Sequence, residues 1–184
     1  MQVTPNSAPT ILDTLKEVLA HQYEASLSAL HLAVERCPDA NWNERVATWK
    51  FCQAAFHVVF FADLYLQPND DVDALKHQSF HAEHKTDFRD YEELEDHPPM
   101  LLYDKAFVLS YLQNVRRKAQ ATIASESAKV LAGPSGFLRR GCSRAELHVY
   151  NIRHIQHHAA QLSLRLRLDA KVDIPWVGHA WSKA

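Results

Sequence analysis

Apolar residues recur by threes and fours along four long stretches of the chain, the spacing of helices with one buried face. The first runs from about Thr10 to Glu35, with Leu12, Leu15, Leu19, Gln22, Ser26 and Leu30 on one row. Thr10, with Asp13 three residues on, supplies an N-terminal cap. The second runs from about Glu44 to Leu66 through Trp49, Phe56, Val59, Phe60 and Leu64, and stops before Pro68. The third covers about Tyr103 to Leu131, after a break at Pro98-Pro99 and before Gly133-Pro134. The fourth opens on Ser143-Arg144-Ala145-Glu146, which reads as a capping box, and reaches about Asp169. Helices of roughly 22 to 28 residues span about 33 to 42 Å, enough for a bundle. The predicted fold is therefore all-α, a four-helix bundle, with residues 1–184 forming a single domain.

Two stretches break the pattern. Residues 67–100 form a long acidic connection between helices two and three, too long for a tight turn. A short helix around His77 to His84 fits within it. The C-terminal stretch from Val172 to Ala184 carries Pro175, Trp176 and Trp181 and is expected to be an extended tail that packs its aromatics on the bundle.

Composition narrows the function classes. Hydrophobic residues at 47% and charged residues at 23% are those of an ordinary globular protein. A formal net charge of -2 offers no field to recruit nucleic acid or an anionic membrane. No apolar run reaches the length of a membrane span, and the N-terminus lacks the pattern of a signal peptide. Cys37, Cys52 and Cys142 are an odd, widely spaced set without a Cys-x-x-Cys, which fits a reducing cytoplasm better than a disulfide framework. The chain has 12 histidines against 4 glycines. Histidine is the commonest metal ligand, so this excess directs attention to metal chemistry.

Helix four separates into two rows. Ile152, Ile155, Ala159, Leu162 and Leu166 form the apolar seam, flanked by the polar row Asn151, His154, His158, Gln161 and Arg165. Residues four apart on a helix lie one above the other, about 6 Å along the axis. His154 and His158 can therefore aim ring nitrogens at one cation, although such a row is ordinarily a solvated flank. His57 sits among Phe56, Val58, Val59 and Phe60 on helix two. An imidazole in that company must find a partner or stay a neutral core residue. Three imidazoles converging from two helices suit zinc, nickel, iron or copper, and leave a coordination position for water or substrate.

The runs Ala-Ala-Phe-His-Val-Val-Phe-Phe-Ala-Asp-Leu-Tyr-Leu in helix two and Arg-His-Ile-Gln-His-His-Ala-Ala-Gln-Leu in helix four resemble those of the DinB-like (DinB/YfiT) metalloenzymes. The resemblance implies a four-helix bundle whose divalent metal is held by one histidine of helix two and a His-x-x-x-His pair of helix four. On this sequence these are His57, His154 and His158. Members often continue with Arg-Gly-Gln after the last ligand; here Ala159 and Ala160 stand in the first two places and Gln161 in the third. Known activities in the family include transfer of low-molecular-weight thiols to electrophiles and a thiol-dependent isomerisation. The resemblance implies a small-molecule substrate, a thiol partner and a homodimer, with zinc or nickel favoured and iron or manganese as alternatives. Asn151 and Gln161 are the best placed to accept the remaining imidazole N–H groups.

His77, His81 and His84 also have helical spacing, with Asp87 and Asp90 nearby. A second metal site there competes with a solvated face, and the charged surroundings favour the solvated face. His157 is rotated about 100° from His158 and falls outside the cluster; His148 lies off the ligand face. Arg116-Arg117-Lys118 and Arg139-Arg140 are expected on solvated surfaces, where they could meet an anionic substrate. No Glu-x-x-His or His-Glu-x-x-His occurs, which disfavours a di-iron bundle and a zincin-like protease. The expected function is metal-dependent activation of a thiol or water against a small electrophile. The alternative is a non-catalytic bundle that binds a metal or ligand.

Overall fold

The computed structural model describes residues 8–88 and 101–178 and is mostly helical. The Pro98-Pro99 break, Asp90 and Trp181 lie outside the described residues. Helix α1 (Ile11–Arg36) starts at the capping box: Asp13 N donates to Thr10 Oγ1 at 3.2 Å, and Thr10 N donates to Asp13 Oδ2 at 2.9 Å. Its buried row runs through Leu19, Tyr23, Leu27, Leu30 and Val34, while Gln22 is exposed. The buried face is thus rotated by one residue from the row read through Gln22.

The second predicted helix begins later than Glu44. A short helix α2 (Asp39–Trp42) is followed by a two-stranded hairpin, β1 (Arg45–Val46) and β2 (Trp49–Lys50), with Val46 paired to Trp49. Ala47 takes φ 60 in the turn, the left-handed region that a two-residue hairpin turn demands. Helix α3 (Phe51–Leu64) then follows directly, and Lys50 N donates to Gln53 Oε1 at 2.9 Å at its start. Thirteen of its fourteen residues are buried; His57 is the exception. Such a helix has no polar stripe and can be stable only when surrounded on all sides. Phe56, for example, stacks on Tyr103 at 3.7 Å between ring centroids. Truncating a buried phenylalanine of this kind costs about 3–5 kcal/mol.

Two short helices, α4 (Val72–Lys76) and α5 (Ser79–Glu83), follow in the long connection. Helix α6 (Lys105–Ser125) ends before the predicted Leu131, and a separate turn of helix, α7 (Ala128–Ala132), restarts on the Ser127 cap. Helix α8 (Arg144–Arg165) starts at Ser143, whose hydroxyl accepts from Glu146 N at 3.2 Å. The chain then widens into a π-type turn over Leu166–Ala170 and leaves through Lys171 at φ 58. In the tail Ile174 packs on the core, but Trp176 is 82% exposed and does not fold back as expected.

Four helix pairs make the bundle: α1 with α8, α1 with α6, α3 with α8, and α3 with α6. The long helices therefore form a ring in which α3 and α8 are neighbours and α1 lies diagonal to α3. The Cys37–Lys50 segment carries the chain between those diagonal positions. This arrangement sets His57 of α3 against the histidine row of α8. No described helix is long and apolar enough to cross a membrane.

Candidate metal centre

His57, His154 and His158 come together between α3 and α8, with one ligand-capable atom from each lying within 4.8 Å of the others. No other group of three metal-ligating side chains forms among the described residues. The ring centroids lie 5.6 Å (His57–His154), 5.2 Å (His57–His158) and 4.7 Å (His154–His158) apart. The last distance follows from one helical turn; the other two require α3 to pack beside α8. All three rings are half-buried, so the cluster is neither sealed in the core nor fully solvated. Trp49, placed by the hairpin, meets His57 edge-on at 4.5 Å, and Phe61 lies on the same ring at 4.7 Å.

The electrostatics keep the rings neutral. Burial, and secondarily the His158 charge, pushes the His57 pKa down to about 3. Burial also takes His154 down to about 3, helped by His158, His57, His157 and Arg140. His158 is lowered by burial and by His157, with the Gln161 side chain opposing. A neutral imidazole has a free lone pair, the state in which histidine binds a metal. Moreover, the buried Nδ1 atoms of His57 and His154 have no hydrogen-bond partner. Leaving such an atom unsatisfied costs about 1–3 kcal/mol. Three neutral nitrogen donors, two with an unsatisfied ring atom, fit a borderline divalent cation and suit calcium or magnesium poorly.

Asn151 and Gln161 do not satisfy those Nδ1 atoms. Asn151 is fully buried and donates through Nδ2 to the Ala62 carbonyl of α3 at 2.9 Å, tying the two ligand-bearing helices together. Gln161 is exposed and its amide nitrogen lies 3.0 Å from His157 Nε2. A polar row on a helix thus contains one residue turned into the helix contact and one turned to solvent.

The His77, His81 and His84 spacing does not survive folding. His77 ends α4, and α5 starts anew at Ser79, so the three share no helix face. His81 is buried, not solvated. Its Nε2 lies 2.7 Å from Asp63 Oδ2, and its ring stacks on Phe88 at 3.9 Å. Tyr111 donates to the same Asp63 oxygen at 2.8 Å, and Lys118 pairs with the other oxygen. Burial alone would raise the Asp63 pKa, but the His81 hydrogen bond and the Lys118 charge together hold it below the ordinary value. Lys118 is thus an internal ion-pair partner rather than part of a solvated run, and Arg116 pairs with Glu24 at 3.2 Å.

A second buried network was also missed from sequence. His148 Nε2 lies 2.8 Å from Glu126 Oε2 and its Nδ1 lies 3.0 Å from Tyr23 OH. Arg144 donates to Glu126 and to the carbonyls of Tyr65, Leu66 and Gln67, in the turn that follows α3. For the first network the usable signal was Asp63, a carboxylate next to the end of the otherwise apolar α3, since a buried carboxylate demands partners.

Beside His154 the loop before α8 brings in Arg140. Its guanidinium lies 4.0 Å from the Tyr150 ring and 5.0 Å from the Tyr65 ring, and donates to Tyr65 OH at 2.7 Å. Tyr65 in turn meets His154 edge-on at 6.0 Å. Burial, followed by the neighbouring Tyr150, raises the Tyr65 phenol to about 12, so it stays protonated.

No curated relative and no solved structure matches the chain. A family model described as the DinB superfamily does match it, over residues 22–162, a span that takes in all three histidines and most of the sequence, and the chain belongs to that superfamily.

Proposed function

We propose that this protein is a divalent-metal-dependent enzyme in which His57, His154 and His158 hold one cation beside a small-molecule site. The observation that carries this reading is the convergence of three neutral, half-buried imidazoles, two with an unsatisfied buried nitrogen. When bound there, a zinc or nickel ion, or else iron or manganese, would supply a Lewis acid that lowers the pKa of a thiol or of water. The chain's own residues do the rest. The α3–α8 contact, fixed by Asn151, sets the spacing of the three donors. Trp49 and Phe61 keep water from the His57 side and hold that ring deprotonated. Tyr65, protonated and buried, packs edge-on against His154 and adds to the apolar shielding of that ring.

The reaction this arrangement suits is attack by a low-molecular-weight thiol, or by water, on a small electrophile. For a thiol, sulfur forms the new bond and its proton passes to solvent or the leaving group. Family resemblance adds a homodimer, which sedimentation tests. The free cysteines, Cys37 and Cys52 buried, are in keeping with the cytoplasm.

Metal analysis of untagged protein tests the reading. About one equivalent of a transition metal per chain is expected, lost on His154→Ala. Protein without stoichiometric metal, and indifferent to that substitution, would overturn it. Metal and thiol binding without consumption of any electrophile would instead favour the non-catalytic binding bundle.

A further inference from the structure

The face of α8 that points away from the core, opposite the buried Leu147, Ile155 and Leu162, carries exposed apolar residues. At 100° per residue, Val149, Arg153, Ala160 and Leu164 fall within a narrow stripe on that face. Val149 is 47% exposed and Leu164 52%, with the exposed Ala160 between them. The exposed Trp176 of the tail borders the same concave surface as Ala160 and Leu164. A second concavity, of about 550 Å³, reaches from this face to His154 through Arg153, Gln156, His157 and Ala160.

The stripe complements itself when it is reversed. Two copies laid antiparallel about a two-fold axis between residues 156 and 157 set Glu146 opposite the partner's Arg167 and Val149 opposite the partner's Leu164. Arg153 then lies over the partner's Ala160, and Gln156 meets the partner's His157 at the axis. An acid meets a base, an apolar residue meets an apolar one and a long side chain meets a small one, each twice by symmetry. Arg167 binds Asp173 of its own tail through Nε and one terminal nitrogen. A guanidinium fork has a further edge for a second carboxylate.

We propose that the outer face of α8 is a two-fold interface that packs against α8 of a second copy of this chain in that register. The inference gives the homodimer of the preceding reading its surface and adds a consequence: the second copy closes the concavity beside His154. The contact itself needs no metal. From residue 146 to 167 the stripe is about 32 Å long and about 10 Å wide. It therefore buries about 300 Å² per copy before the tails are added, short of the roughly 800 Å² of a standard interface. The dimer expected is a reversible, micromolar one.

Sedimentation equilibrium on the untagged full chain, from about 1 to 100 μM, tests this. The wild-type mass should rise from one chain toward two across that range. Ala160→Arg sets a second guanidinium against the partner's Arg153 and should weaken the dimer at least about tenfold. Adding Arg153→Glu should recover most of that loss, because the two charges then attract across the interface. A cross-link reads the register. Cys142→Ser protein keeps only the buried Cys37 and Cys52 thiols. In that background, Val149→Cys chains mixed with Leu164→Cys chains should form an intermolecular disulfide on mild oxidation. Either variant alone should not, since like positions lie about 22 Å apart along the helix. Wild-type protein that stays monomeric throughout would overturn the interface and the homodimer together. A dimer indifferent to Ala160→Arg, or one in which Val149→Cys cross-links equally well to itself, would overturn this interface alone. Metal content is read on the same samples: wild-type protein that dimerises as expected but holds no stoichiometric metal would sink the three-histidine reading and leave the interface standing.

Discussion

Two sets of buried or half-buried histidines lie a few turns apart in this bundle, and they differ in what faces them. His81 and His148 each meet a carboxylate, Asp63 at 2.7 Å and Glu126 at 2.8 Å, inside networks that also hold Lys118 and Arg144. His57, His154 and His158 meet aromatic rings and one another. A histidine with a carboxylate and a cation around it has its hydrogen bonds satisfied by the chain and acts as part of the scaffold. A histidine whose neighbours are other histidines is left with a lone pair and no donor, an arrangement that an external cation completes. The contrast separates structural from ligating imidazoles better than burial does, since the structural pair is the more deeply buried.

The sharpest way to break that contrast is to remove one partner from the carboxylate side. Asp63→Ala leaves Lys118 and His81 facing an empty acceptor and should cost about 3–5 kcal/mol in urea unfolding. Metal content per folded chain should stay at the wild-type level. If that variant unfolds as the wild type does, the network is not structural. His154→Ala should do the reverse. Metal content should fall at least about tenfold, while the metal-free protein loses little stability because an unsatisfied nitrogen leaves with the ring.

Acidification separates the two regions by window. His57 and His154 have folded pKa values near 3, below the unfolded value of 6.5. The native metal-free protein therefore binds fewer protons than the unfolded chain below about pH 6.5. Their contribution is complete above that pH and is lost as pH falls toward about 3, by at most about 1.4 kcal/mol per pH unit for each proton. Asp63 and Glu126 are also lowered, from 3.8 and 4.5, by their hydrogen-bond and charge partners against the opposing effect of burial. Their contribution is present above about pH 4.5 and is lost below it. Stability of metal-free protein measured from pH 8 to 3 should thus decline in two stages, and His154→Ala should flatten only the first. Thr10→Ala lies outside both regions and should cost about 1 kcal/mol in thermal unfolding with no effect on metal.

Much of the bundle was legible because helix caps and apolar spacing are local. Thr10, Ser143 and the seam Ile155, Ala159, Leu162 take the places their neighbours dictate. Residues 44–50 were misread as helix because Val46 and Trp49 fit an apolar helical row as well as a strand. Only their pairing across Ala47 distinguishes the two. His81 was misread because its neighbours in sequence are charged, whereas its neighbours in space are Asp63 and Phe88. Arg140 read from sequence as part of a solvated run, whereas its orientation comes from Tyr65, just past α3, and Tyr150 on α8.

The sequence by itself determined the helices and the His154–His158 pair, because hydrogen bonding within a helix sets the distance between residues four apart whatever surrounds them. The superfamily is written there too, over residues 22–162. Only the tertiary structure decided that α3 lies beside α8 rather than diagonal to it, which brings His57 to the pair and sets Arg140 between Tyr65 and Tyr150. That choice depends on how four buried faces pack at once, and no single stretch of the chain encodes it.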